Sequence, residues 1–176
     1  DGSDYQIIGC GMPKYSLGWN NTVTYKGFTL NAFFQGSFGA DKLNFTRGLH
    51  LMGDRDARQA TLAEIKERYI PGVNENAWLP AWSPTSKWEP QSTLFLENAN
   101  YLRLKNLSLS YDFKVKNFAD FRVSLSATNL FTITKYKGID PESSNVGGGT
   151  SDVQQGIDYG AYPNSKTYTL GLNITF

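Results

Sequence analysis

The sequence predicts an all-β fold: about five antiparallel strands that form the C-terminal segment of a large transmembrane β-barrel, with long extracellular loops and one short loop helix. Three observations carry this expectation. Apolar and polar residues alternate along five stretches, which gives each strand one apolar and one polar face. The connections alternate between short and long, as they do in outer-membrane barrels. Aromatic residues gather at both ends of the strands, where a barrel meets the two bilayer interfaces.

Residues 1–14 contain Gly2, Gly9, Gly11 and Pro13 and read as a loop. In residues 15–25, Tyr15, Leu17, Trp19, Asn21, Val23 and Tyr25 alternate with Ser16, Gly18, Asn20, Thr22 and Thr24. Lys26-Gly27 then fits a two-residue hairpin turn with glycine at a positive φ. The return arm, 28–39, carries Phe28, Leu30, Ala32, Phe34, Gly36 and Phe38 on one parity, with Phe33 the exception on the other. Residues 40–98 break the pattern. Within them Arg58 to Tyr69 predicts a short helix that places Leu62, Ile65 and Tyr69 on one side, has Asp54 or Asp56 near its start, and ends at Pro71-Gly72.

Strand character resumes over 100–113. Leu107, Leu109, Tyr111 and Phe113 face one way, whereas Leu102 and Leu104 sit on the other parity. The phase flips near Lys105-Asn106, which predicts either a β-bulge or a strand end beyond the membrane. After a short turn, 120–133 alternates through Phe121, Val123, Leu125, Ala127, Phe131 and Ile133. Residues 134–165 form a second long loop around Gly147-Gly148-Gly149, a stretch that lacks the strand-then-helix setting of a phosphate-binding loop. The closing strand, 166–176, sets Tyr168, Leu170, Leu172, Ile174 and Phe176 against Thr167, Thr169, Gly171, Asn173 and Thr175.

A membrane strand needs roughly 9–11 tilted residues, and each stretch is long enough. Tyr25, Phe28, Tyr111, Phe113, Phe121 and Phe176 lie beside the short-turn end, and Tyr15, Phe38, Phe131 and Tyr168 lie toward the long-loop end. No Lys or Arg occupies the apolar parity in the middle of a strand, where a cation costs about 2–4 kcal/mol at the bilayer midplane. A soluble β-sandwich with one wet face is the alternative. Five strands are too few to close a barrel, so the first strand is expected to lack its neighbour, and the N-terminus at Asp1 is expected to be a cut or processed end.

Composition excludes several functions. Lys+Arg 17 against Asp+Glu 16 leaves no single-signed field for nucleic acid. Cys10 is the only cysteine, so no intrachain disulfide forms. There is no run of 18 apolar residues for a membrane helix, which leaves a β-barrel open.

Several segments resemble the C-terminal end of the SusC/RagA family of TonB-dependent outer-membrane transporters of Bacteroidetes. They are Ile7-Ile8-Gly9 with Pro13-Lys14-Tyr15, Asn20 through Phe28, Phe33 through Gly39, Asn100 through Leu107, Ala127 through Tyr136, Gly138 through Glu142, Gly156 through Gly160, Tyr162-Pro163 and Gly171 through Phe176. The likeness is thin over 40–98. It implies one part of a plugged barrel of about 22 strands, integral to a Gram-negative outer membrane. It further implies nutrient uptake, namely import of oligosaccharides or peptides driven by TonB, with a SusD-like surface lipoprotein as lid. The plug and TonB-contacting segments would lie upstream of Asp1. The closing strand, through Tyr168, Leu170, Leu172, Ile174 and Phe176, looks like the signal read by the barrel-assembly machinery.

Candidate chemistry points to binding rather than catalysis. His50 is the only histidine, so a Ser-His-Asp or Cys-His site would have to use it. No Cys/His cluster has zinc spacing. No cofactor is expected, although Asp140, Glu142, Asp152 and Asp158 share one loop and offer oxygens of the kind Ca²⁺ takes, without EF-hand spacing. Trp78, Trp82 and Trp88, and with them Tyr159 and Tyr162, are the candidate contacts for substrate or lid. They would offer flat faces to sugar rings or else pack the loops together. The alternative functions are a soluble β-domain or adhesin acting as an interaction module, and an outer-membrane hydrolase.

Overall fold

The computed structural model describes residues 6–52, 62–81, 92–116, 118–143, 145–146 and 155–176. Its main element is a five-stranded antiparallel sheet in the order β1 (Tyr15–Tyr25), β2 (Phe28–Phe38), β5 (Tyr101–Val115), β6 (Ala119–Thr134) and β9 (Thr167–Thr175). These strands coincide closely with the alternating stretches, because a period of two that holds for nine or more residues leaves few other ways to sort apolar from polar side chains. Lys26 and Gly27 both take positive φ, 46° and 87°, the pair of values a type I′ hairpin turn requires.

Among the described residues, one face of this sheet has nothing packed against it. Its apolar row is exposed in every strand, from Trp19 at 54% through Leu125 at 55% to Leu170 at 77%. An apolar surface of this extent belongs against lipid, and among the described residues no second layer covers it as a sandwich would require. The aromatics form the expected bands. At the short-turn end, ring contacts run from Phe28 to Tyr111, Phe113, Phe121, Phe118 and Phe176. At the other end Tyr15 stacks on Phe38 at 5.2 Å. Phe33, on the polar face, lies over Gly18 of the neighbouring strand, where the missing side chain leaves room for its ring.

The phase flip is a bulge. Phe33 and Phe34 pair with Asn106 and Leu104, which leaves Lys105 as the extra residue on β5. Leu102 and Leu104 therefore change parity yet oppose Gly36 and Phe34, so the apolar face is continuous. The irregularity carries on into β6. There Leu104 and Asn106 pair with Phe131 and Thr128, and Asn129 is left-handed at φ 50°.

The described parts of the long loops carry more regular structure than their sequence pattern suggests. A second, four-stranded sheet joins them in the order β4 (Leu96–Asn98), β3 (Asp41–Asn44), β8 (Ile157–Tyr159) and β7 (Asn145–Val146), with β3 and β8 parallel. Among the described residues the one α-helix is α1, Phe45–Met52, and none lies over 62–69. Asn44 caps it by accepting the Arg47 N–H at 2.9 Å. Of the expected helix, Ala63–Glu67 forms one 3₁₀ turn with no side-chain cap. Beyond it Arg68 is extended, donates to the Leu51 carbonyl, and bridges to Leu79. Arg58 and the expected helix start at Asp54 and Asp56 lie outside the described residues. The buried apolar cluster, Leu51, Leu79 and Phe95 with Phe45, Leu49, Met52, Ile65 and Leu94 around it, sits within these loops and not in the sheet.

Candidate functional site

The polar face of the five-stranded sheet is covered at its long-loop end, and Arg103 is the centre of that cover. Arg103 lies on β5 and is 3% exposed. Its Nε donates to Thr132 Oγ1 at 2.8 Å, its NH1 to Glu142 at 2.7 Å, and its NH2 to Asp140 at 2.5 Å. Lys105 Nζ reaches both Glu142 oxygens at 2.9 Å. Gln35 of β2 donates to Glu142 at 3.3 Å. Asn164, from the far end of the same loop, donates its backbone N–H to Asp140 at 2.9 Å. A buried guanidinium needs this many oxygens to offset its desolvation, and a planar fork engages two carboxylates at once. Burial alone would raise the Asp140 carboxyl, but the donors from Asn164, Arg103 and Glu142 hold it below the ordinary carboxylate range.

A second layer lies beside the first. Lys42, on β3, is buried and donates to the Pro141 and Ser143 carbonyls, each at 2.5 Å. Burial pulls its ammonium below the usual range, against the opposing pull of Asp158, Asp140 and Glu142. Tyr136 donates to Asp158 at 2.6 Å, and burial together with that bond pushes its phenol well above the usual range. Thr46 of α1 also donates to Asp158. Both loops are thereby tied to each other and to the polar face. The N-terminal segment joins them where Asp41 N–H meets the Cys10 carbonyl at 2.8 Å. A Cβ on Gly11 would sit 2.3 Å from the Gln155 carbonyl oxygen, so glycine alone permits this seam. Between these parts a crevice of about 410 Å³ opens among Ser37, Asp41, Lys42, Tyr101, Glu142 and Gln155.

Of the expected contact residues, Trp78, Tyr159 and Tyr162 are described, and all three lie in the loops. Trp78 is part-exposed, donates from Nε1 to Glu67 at 2.5 Å, and lies 4.8 Å from the Arg47 guanidinium. Tyr159 packs edge-on against Phe45 at 6.3 Å. Tyr162 is 90% exposed and offers a free ring. Trp82 and Trp88 lie outside the described residues, as does Asp152. Asp140, Glu142 and Asp158 are engaged by Arg103, Lys105 and Tyr136. Among the described residues no group of three or more His, Cys, Asp or Glu side chains is placed to hold a metal ion. Arg103, Lys42 and Gln35 were not foreseen. The one sequence signal for Arg103 and Lys105 was a pair of cations between leucines at the phase flip.

A five-stranded sheet with a bare apolar face, a polar face, aromatic bands at both ends and ordered loops at one end is a wall segment of an outer-membrane β-barrel. The comparisons agree. TonB-dependent receptor P3 of Formosa agariphila is 35% identical over 99% of this chain and 17% of its own length. TonB-dependent receptor SusC of Bacteroides thetaiotaomicron is 34% identical over 58% of this chain and 10% of its own length. The solved RagAB peptide importer in its closed-closed state superposes with a TM-score of 0.78 at 29% identity, covering 97% of this chain and 18% of the solved chain. No family model matches. The chain belongs to the SusC/RagA family of TonB-dependent receptors, as a portion of their outer-membrane barrel. It spans less than a fifth of the length of these relatives, two TonB-dependent receptors and a peptide importer.

Proposed function

We propose that the chain forms wall and rim of an outer-membrane importer of oligosaccharides, working with a SusD-like surface lipoprotein and coupled to TonB through segments outside this sequence. The observation that carries this is the fold of both long loops over the polar face, tied down at Arg103. A loop cover on the lumen side of a lipid-facing wall narrows an entrance; the same loops laid outward would only meet membrane. The family's SusC member supports a nutrient importer. The likeness to the RagAB peptide importer supports a second reading, with oligopeptides as cargo.

The test uses the whole transporter with its lipoprotein, titrated calorimetrically with oligosaccharides and with oligopeptides. Tyr162→Ala and Tyr159→Ala are each expected to weaken binding of the true cargo by about 0.5–1.5 kcal/mol, the worth of an aromatic contact. Unchanged affinity in both variants would remove these rings from the path. We further propose that the closing strand, ending on Phe176, serves the barrel-assembly machinery. Deletion of Phe176 is then expected to lower the yield of assembled barrel and to leave the affinity of what does assemble intact.

A further inference from the structure

We propose that the outer flank of the rim, where Trp78, Lys135 and Lys137 meet, binds the phosphate-bearing headgroup of an outer-leaflet lipid. Above the bulge, β6 presents Phe131 and Ile133 to lipid, and both are exposed. The row continues on the same parity past the strand end. Lys135 and Lys137 are exposed, whereas Thr134 donates to the Asn100 carbonyl and Tyr136 is buried beneath the loops. An outward row that changes from Phe and Ile to Lys marks the upper edge of the hydrocarbon. Along extended backbone tilted by about 40°, Lys135 stands about 5 Å and Lys137 about 10 Å above Ile133. The headgroup layer is about 5–8 Å deep on each side. Lys135 therefore lies within it, and Lys137 reaches down to it through its aliphatic stem.

The two lysines border a crevice of about 330 Å³, lined also by Arg47, Trp78, Leu94 and Glu97. The carboxylates nearby already have partners. Glu97 takes Arg47 at 3.4 Å and the Lys137 backbone N–H at 2.7 Å, Glu64 takes Arg47, and Glu67 takes the Trp78 N–H. Neither Lys135 nor Lys137 makes an ion pair among the described residues, and the buried Nε of Arg47 has no hydrogen-bond partner. Trp78 holds the place of an interfacial tryptophan, with its ring 5.9 Å from Lys137 Nζ and its N–H satisfied by protein. Two ammonium groups with no carboxylate partner among the described residues, at headgroup depth and beside an amphipathic ring, are complementary to a phosphomonoester on a lipid. Lys166, just beyond the same end of β9 and on the parity of Tyr168 and Leu170, is exposed at a similar level and extends the cationic edge along the wall.

The experiment uses the complete transporter in nanodiscs of phosphatidylcholine with and without phosphatidic acid. The lipid that stays bound after transfer to detergent is measured by mass spectrometry. The wild type is expected to enrich phosphatidic acid over phosphatidylcholine. Each lysine replaced by alanine is expected to lower that enrichment about fivefold, and K135R/K137R is expected to keep it. Binding of the imported cargo should not change, so failure here is distinguishable from failure of the transport reading. Equal enrichment in the wild type and K135A/K137A would overturn the proposal. So would displacement of the phosphatidic acid by inorganic phosphate, since the site would then read a free anion.

Discussion

Replacing Arg103 with methionine removes the cation that ties the second loop to the barrel wall and leaves the aliphatic volume in place. Two carboxylates lose their partner at once: Asp140, whose side chain is 4% exposed, and Glu142, at 24%. Breaking a buried ion pair by deleting one member costs about 3–5 kcal/mol. Lys105 still faces Glu142, and Asn164 still donates to Asp140. The lower end, about 3 kcal/mol, is therefore expected, which raises the population of the opened loop on the order of a hundredfold. Hydrogen exchange on the whole barrel reads this directly. The amides of Glu142 and Asn164 both donate to Asp140, and both should exchange on the order of a hundredfold faster. The β1–β2 ladder, held by its own backbone bonds and by lipid, should not change. If those two amides keep their wild-type rates, Arg103 is not the tie. If the ladder accelerates equally, Arg103 supports the wall itself and the division between wall and loop is wrong. Adding Asp140→Asn should make the loss from Arg103→Met smaller than in the wild type, because the two share one interaction.

Acid should release the same loop. The Asp140 carboxyl is held below its ordinary value of 3.8 in the folded state, so its contribution to stability is fully present above that value. It is lost as the pH falls through the lower, folded value. Cleavage of residues 134–165 by an acid protease, normalised to an unstructured peptide, should rise only below about pH 4, and Asp140→Asn should remove the step. The two faces of the wall are told apart by arginine scanning of the closing strand. Leu170→Arg, on the lipid side, should cost about 2–4 kcal/mol in barrel unfolding from vesicles, while Thr169→Arg, on the lumen side, should cost much less. The opposite order would reverse the assignment of the faces.

The strands were legible because alternation is a local property that each stretch displays by itself. The bulge was half legible. On β5 the apolar parity changes between Leu104 and Leu107, and that change survives in the sequence. On β6 the parity of Ala127 and Phe131 is the same, so the distortion at Asn129 leaves only an alternation with a polar residue in an apolar place. The loop sheet had no such signal. Its strands are two to four residues long, and β3 meets β8 across more than a hundred residues. The expected helix over 58–69 had suitable apolar spacing, yet Arg68 leaves it to reach the Leu51 carbonyl and the Leu79 bridge, a tertiary pull that propensity does not contain. The helix that forms instead begins on Asn44, with Gly48 inside it and no acid in its first turn, so its usual markers were weak. The Arg103 network was illegible for the same reason as the sheet. Nothing in the spacing of Arg103 and Asp140 states that they meet.

The apolar cluster at Leu51, Leu79 and Phe95 has a bearing on how such proteins diversify. The rim has a core of its own, so its stability does not draw on the residues that face lipid. It reaches the wall through Arg103, Lys105 and Gln35, which hold the Asp140 and Glu142 carboxylates, and through Asn100, which accepts the Gly39 amide and the Thr134 hydroxyl. Substitutions can redraw the loops around that core and leave insertion into the bilayer untouched, provided those ties persist. Lineages of this wall should therefore diverge fastest above the bulge and slowest below it, with Arg103 and its carboxylates changing together or not at all.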